Sequence, residues 1–305
     1  MKNICFVTTT RAEFGLLKPL INEIKISKDY QLKLIVSGTH LSEKFGNTYL
    51  EIENTYSKVE SNCQIIKIDI MKNSDKINKI MSDVFDNFYS KLHKINNENK
   101  IDLLILLGDR FEILAITQVA FILGIKICHL AGGDITKGAM DDQFRNAISQ
   151  ISDYHMPFSE DSKNNLIKMN IANKRIFLLG NPGLEDLKNF NPILEKSKII
   201  SQYDLNEKYI LCVFHPETKN YSDYIKLFFS KINNFLSKNK DISFLILKTN
   251  CDPGYVEILK EIYNSSQLCK KVNFLENLNR EKYLSIAYHS FFSPPHCSQS
   301  EVDPP

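Results

Sequence analysis

No stretch of this 305-residue chain reaches the roughly 18–20 uninterrupted apolar residues of a membrane span, so a helical membrane protein is not expected. The N-terminus, MKNICFVTTTRAEFG, offers an apolar run of only about five residues before Arg11 and Glu13, too short for the core of a signal peptide. The expected location is therefore the cytoplasm. The seven cysteines (Cys5, Cys63, Cys128, Cys212, Cys251, Cys269, Cys297) contain no CxxC pair. An odd, scattered set reads as reduced, mostly buried thiols, and neither a disulfide framework nor a structural zinc site is expected. No block of Lys and Arg interrupts the mixed charges, which sum to +2, so nucleic acid is not expected as a partner. Internal repeats, low-complexity segments, a P-loop and a GxGxxG turn are also missing.

What is there is a rhythm. Apolar residues make up 43% of the chain, enough for real cores, and the length suits two α/β domains better than one. Strand-length apolar runs are expected at Asn3–Thr8, Gln31–Val36, Gln64–Ile70, Asp102–Leu107, Lys126–Leu130, Tyr154–Phe158 and Arg175–Leu179. Helices are expected between them, from about Glu13, over Ile77–Asn96, Phe111–Leu123, Asp142–Ser152 and Glu160–Met169. In the first, Phe14, Leu17, Ile21 and Ile24 recur at helical spacing. Asp102–Leu107 (DLLILL) is apolar on both faces, as a central parallel strand must be. Alternation of this kind predicts a doubly wound parallel sheet.

Two glycines and two prolines in Gly180–Pro192 mark a linker. A second set follows: strands Tyr209–Phe214, Ser243–Leu247 and Val272–Phe274, with helices Tyr221–Ser237, Gly254–Tyr263 and Arg280–Tyr288. The expected organisation is a Rossmann-like domain over 1–182, a partial second one over 183–290, and a proline-rich tail over 291–305.

In open α/β sheets ligands sit at the carboxyl ends of the strands, so chemistry is sought there. After the first strand comes Thr8-Thr9-Thr10-Arg11-Ala12-Glu13-Phe14-Gly15. Its hydroxyls, its cation and a helix N-terminus suit an anion; a plain helix cap with Arg11 in a surface ion pair is the alternative. After DLLILL, Asp109 and Arg110 stand side by side where unpartnered charge is costly, unless Asp109 simply caps the next helix. The segment His129-Leu130-Ala131-Gly132-Gly133-Asp134 ends the following strand. Its paired glycines allow close backbone approach, and His129 is either functional or a satisfied core histidine. Asp141 and Asp142, followed by Arg145, suit acid and base roles if their pKa values are held apart, or a favourable first helical turn. In the second set His215, fixed by Pro216, suits proton transfer.

The segments TRAEFG, SGTHLSEKFGNT, LLGDRFE, HLAGGDITKGAMDDQFRNAI, LGNPGLE and FHPET resemble, in order and spacing, the hydrolysing UDP-N-acetylglucosamine 2-epimerases of sialic- and nonulosonic-acid pathways. The likeness spans about residues 1–290. It implies a two-domain GT-B fold with the nucleotide sugar between the domains. It also implies elimination of UDP across C1–C2 and hydration of the resulting glycal to a mannosamine-type sugar, from UDP-N-acetylglucosamine or a 2,4-diacetamido-6-deoxy analogue. No metal or redox cofactor is implied; a homo-oligomer is. Carried over, Arg11 and Arg110 look like diphosphate contacts, with Gly15, Gly132 and Gly133 beside the substrate. Asp109 looks like a catalytic acid/base or a substrate-binding carboxylate. Asp141 and Asp142 look like the acidic pair that handles protons at the sugar, Arg145 like the electrostatic partner of that pair, and His215 like the second domain's contribution.

Three positions depart from that pattern. Ala131 stands where several relatives carry a glutamate or histidine, and Asn146 where a histidine is usual. After Tyr288-His289-Ser290 the family continues into a strand, a serine-rich glycine loop and a helix; here the chain reads FFSPPHCSQSEVDPP. Four prolines in those fifteen residues are incompatible with a strand and a helix. An inactive, truncated remnant that binds nucleotide weakly is therefore the competing expectation, and a GT-B glycosyltransferase the third.

Overall fold

The computed structural model describes residues 1–57, 62–71, 76–136, 140–187, 190–213, 221–247, 255–268, 272–275 and 278–291. Two compact units divide the chain, Met1–Asn189 and a second from Phe190 onward.

The first unit is a six-stranded parallel sheet. Its strands are β1 (Lys2–Thr8), β2 (Tyr30–Ser37), β3 (Cys63–Ile68), β4 (Leu103–Leu107), β5 (Ile127–Leu130) and β6 (Tyr154–Met156), in the spatial order β3-β2-β1-β4-β5-β6. The helices are α1 (Arg11–Ile26), α2 (Tyr49–Tyr56), α3 (Ile77–Asp83), α4 (Tyr89–Glu98), α5 (Phe111–Ile122), α6 (Asp141–Ile151) and α7 (Glu160–Lys168). Successive side chains of a strand face opposite ways, and the two cores follow that alternation. Ile4 and Phe6 of β1 join Phe14, Leu17 and Ile21 of α1 and Ile52 of α2 on one face. Cys5 and Val7 join α4, α5 and α6 through Leu92, Ile116 and Ile148 on the other. Both neighbours of β1 are parallel to it, with Phe6 opposite Leu34 of β2 and Ile105 of β4. The direction of winding reverses between β1 and β4, the point where open sheets of this order hold their ligands.

The second unit has three parallel strands in sequence order, β7 (Lys208–Val213), β8 (Ile242–Leu247) and β9 (Val272–Leu275). Two helices, α9 (Tyr221–Lys238) and α10 (Tyr255–Leu268), cover one face through Ile225, Phe229, Ile258 and Ile262. The other face is covered by α8 (Lys196–Tyr203) and α11 (Arg280–His289) through Ile199 and Ile286. No helix among the described residues is long and apolar enough to cross a membrane. Residues 292–305, where the proline-rich tail is expected, lie outside the described residues.

Several expectations need correction. Arg175–Leu179 forms no strand; Ile176 alone bridges to His155. The Arg175 guanidinium turns back onto the carbonyls of Ser152 and Asp153; Ile176 packs with Leu166 and Ile171 on one face, while Phe177 and Leu179 on the other are exposed. The helix expected over Ile77–Asn96 is interrupted by a π turn at Val84–Phe88 that buries Val84 and Phe88 together. Neither α2 nor α8 was anticipated. Each has eight residues and few buried side chains, so packing rather than sequence period stabilises them. Part of the expected linker is ordered as a 3-10 turn, Pro182–Leu187, that packs against α1 with Gly183 against Leu16.

Candidate active site

Three loops at the carboxyl edge of the first sheet carry the charged residues, following β1, β4 and β5. The first enters α1 through a capping box. Thr10, with extended backbone, receives the Glu13 N–H on its hydroxyl, and the Glu13 carboxylate receives the backbone N–H groups of Thr9 at 2.7 Å and Thr10 at 3.3 Å. Arg11 begins the helix and pairs with Glu51 of α2 at 3.3 Å. The segment thus forms a helix cap with Arg11 in an ion pair.

The second loop starts at Gly108. Asp109 does not cap α5: the N-cap position is Arg110, with no side-chain capping bond. Arg110 instead donates from Nε to Glu112 Oε1 at 2.7 Å. Asp109 accepts a hydrogen bond from Nη2 of Arg145, which arrives from α6.

In the third loop, His129 is fully buried. Its Nε2 lies 2.8 Å from the Gly108 carbonyl and its Nδ1 3.0 Å from the Ser149 hydroxyl. A carbonyl only accepts, so Nε2 carries the proton and Nδ1 receives the serine hydrogen. Burial, with Arg145 nearby, pushes this imidazole down to about 4. His129 is therefore a neutral, satisfied core histidine that ties the second loop to the third. A side chain at Gly132 would crowd Ser149, and one at Gly133, where φ is +86°, would overlap the Ser162 carbonyl. Glycine is needed at both positions because the protein itself packs there.

Arg145 is the hub. Its Nη1 donates to the Asp134 carbonyl at 2.7 Å and to Asp142 Oδ1 at 3.3 Å; its Nη2 donates to the Thr136 hydroxyl at 2.9 Å and to Asp109. Asp142 also accepts the Thr136 N–H at 3.0 Å, which folds the third loop over α6. Asp141 heads the same helix. Residues 137–139 and 214–220 are outside the described residues, and His215 with them.

Between the first two loops lies a cluster that the sequence reading did not single out. Thr9 Oγ1 sits 3.0 Å from both oxygens of Glu13 and 3.2 Å from Glu112 Oε1, and all three residues are buried. The capping pattern Thr10-x-x-Glu13 was the signal that could have placed Glu13; nothing local links it to Glu112. A separate cavity of about 500 Å³ opens beside α1, between Leu20, Leu130, Met156, Phe158 and Leu179, and none of the expected site residues lines it. Among the described residues Cys5, Cys63, Cys128 and Cys212 are free thiols, and no acidic, histidine and cysteine cluster has metal-binding geometry.

A doubly wound parallel sheet, with arginines and carboxylates gathered at its switch point, defines an α/β enzyme of the nucleotide-binding class. Residues 22–292 match the family described as UDP-N-acetylglucosamine 2-epimerase. The GDP/UDP-N,N'-diacetylbacillosamine 2-epimerase (hydrolyzing) of Campylobacter jejuni is 34% identical over 93% of this chain and 73% of its own. The UDP-N,N'-diacetylbacillosamine 2-epimerase (hydrolyzing) of Legionella pneumophila is 29% identical over 95% and 74%. Among solved structures, the UDP-GlcNAc 2-epimerase of Neisseria meningitidis bound to UDP-GlcNAc superimposes with a TM-score of 0.76 at 21% identity, covering 94% of this chain and 76% of that one. The chain belongs to the UDP-N-acetylglucosamine 2-epimerase family, and its fold is the two-domain α/β fold of those enzymes.

Proposed function

We propose that the chain is a hydrolysing 2-epimerase whose substrate is a UDP-linked 2,4-diacetamido-6-deoxy sugar of the N,N'-diacetylbacillosamine type. The names of the Campylobacter and Legionella relatives favour that sugar. The reading is carried by one observation: Arg145 of α6 gathers Asp109, from the loop after β4, and Asp142, from its own helix, beside the switch point.

The chemistry asks for that arrangement. A carboxylate takes the C2 proton, the C–H electrons form the C1–C2 double bond, and the C1–O bond to the diphosphate breaks, releasing UDP. Water then adds at C1 and a proton returns to the opposite face of C2. Both proton transfers need positioned carboxyl groups, and the departing diphosphate needs cations. In this reading Asp109, Asp141 and Asp142 handle the protons, and Arg145 holds the first and last of them in place. Arg11 and Arg110 face the diphosphate with Gly15 beside them, while Gly132 and Gly133 serve by letting the third loop pack closely. His215, outside the described residues, is assigned to proton transfer on its sequence alone.

The test is incubation with UDP-N,N'-diacetylbacillosamine, and separately with UDP-N-acetylglucosamine, in deuterated water. UDP and the free 2-epimeric diacetamido sugar, deuterated at C2, are expected from the first. Turnover of UDP-N-acetylglucosamine alone would correct the sugar; tight binding of UDP with both substrates left intact would overturn the assignment.

A further inference from the structure

The buried cluster between the first two loops contains more acceptors than donors. Thr9 Oγ1 has one hydrogen, yet it lies within hydrogen-bond distance of Glu13 Oε1, Glu13 Oε2 and Glu112 Oε1. A hydroxyl that donates to one carboxylate can bond a second only by accepting from it, so one of the two must hold a proton. Glu112 has a cation of its own, Arg110, whose Nε donates to Oε1. Glu13 has only neutral donors, the two backbone N–H groups that converge on Oε2. Its Oε1 is left facing the threonine.

We propose that Glu13 is a positioning residue that holds a proton in the working state, and that through Thr9 and Glu112 it sets the Arg110 guanidinium for an anionic ligand. The hydrogen bonds then run in one direction, from Glu13 to Thr9 to Glu112, where they meet the arginine. A neutral Glu13 leaves Glu112 and Arg110 as a balanced pair. An ionised one adds a second negative charge to a buried site and opposes a diphosphate.

Two influences compete at Glu13. The Arg110 guanidinium, the hydrogen bonds from Thr9 and the helix N-terminus favour the charged form. Burial and the neighbouring Glu112 oppose it and win, raising the carboxyl to about 7. The charged groups that act on it are Glu112 and Arg110; Arg11, two residues before it, is paired with Glu51. His40 lies after β2, against Phe14, and burial keeps it neutral.

The role of Arg110 as a diphosphate contact rests on the function proposed above; the proton on Glu13 does not. Two measurements on the full chain separate them. In a carbon-13 titration with labelled glutamate, one carboxyl should ionise near neutrality and vanish from the spectrum of Glu13→Gln. Glutamine mimics the protonated acid, accepting the two amides and donating to Thr9. Binding of UDP-glucose, whose diphosphate keeps its charge between pH 6 and 9, should weaken about tenfold across that range in the wild type and stay level in Glu13→Gln. A Glu13 carboxyl that titrates with the exposed glutamates overturns the proton. A pH dependence that persists in Glu13→Gln overturns the coupling to Arg110. Failure to turn over any UDP-sugar while both results hold would count against the epimerase reading alone.

Discussion

Around Arg145 the cation is sealed, at 5% exposure, while its carboxylates Asp109 and Asp142 remain 29% and 24% exposed. Around Thr9 the arrangement is inverted: Glu13 and Glu112 are sealed, and Arg110 is the more open member. Both clusters sit at ends of neighbouring strands, and His129 links their loops through Gly108. On the proposed function the difference is one of task. A buried guanidinium with open carboxylates presents acids to a ligand while fixing their spacing. Buried carboxylates beneath an arginine present a cation instead, with a strength that their protonation adjusts.

The most damaging way to break this contrast is to remove the hub. Arg145→Met leaves Asp109, Asp142, the Thr136 hydroxyl and the Asp134 carbonyl without their common donor. Turnover should fall at least about 1,000-fold, as when a preorganised electrostatic group is deleted. Unfolding free energy should fall by about 2–3 kcal/mol, less than the loss for a fully buried pair because the carboxylates reach solvent. Arg145→Lys should recover little, since one ammonium cannot span four acceptors in two directions. Initial rates and urea unfolding would check both; wild-type turnover in Arg145→Met would remove the hub from the mechanism.

A gentler probe sharpens the contrast through pH. His40, His129 and His155 are each pushed by burial from 6.5 to about 4. Their folded values lie below the unfolded ones, so the stability they provide is present above pH 6.5 and lost as pH falls through about 4. Glu13 has the opposite sign. Its contribution is full below 4.5 and is lost as pH rises through about 7. Stability should therefore climb from about pH 4 through neutrality, where three histidines outweigh one carboxyl, and level off near pH 7.5, the ionisation of Glu13 cancelling the last of the histidine gain. Glu13→Gln should climb more steeply above about pH 5 and be the more stable protein at pH 8, by about 2 kcal/mol. Urea unfolding at closely spaced pH values would show it. A Glu13→Gln curve parallel to the wild type between about pH 5 and 8 would contradict a buried, proton-holding Glu13.

These clusters were legible in the sequence to different depths. The strands of the first unit announced themselves, because a central parallel strand must be apolar on both faces and DLLILL has no other use. The ends of those strands then located Asp109, Arg110, Asp142 and Arg145 without any structure. The partnership of Asp109 with Arg145, and of Thr9 with Glu112, was not readable: nothing in a local pattern says which residues on adjacent strand ends will face each other. Arg175–Leu179 misled for a related reason. Its apolar residues suit a strand, but only Ile176 is buried, and Phe177 and Leu179 stay exposed. His129 allowed two readings until the carbonyl of Gly108 decided between them.

The smallest expected effect concerns Arg11, a further cation at these strand ends. It is engaged by Glu51 in an ion pair whose side chains are 27% and 36% exposed. Such pairs contribute little, so Glu51→Gln should change unfolding free energy by less than about 0.5 kcal/mol. A diphosphate arriving at α1, however, must compete with Glu51 for the same guanidinium. Removing that competitor should tighten binding of UDP two- to threefold, roughly the value of one exposed pair, and the gain should shrink as salt is raised. Calorimetric titration at two ionic strengths distinguishes the outcomes. Tighter binding that fades with salt places Arg11 among the ligand's cations; unchanged binding would leave it as a helix-end residue whose partner is Glu51 and nothing else.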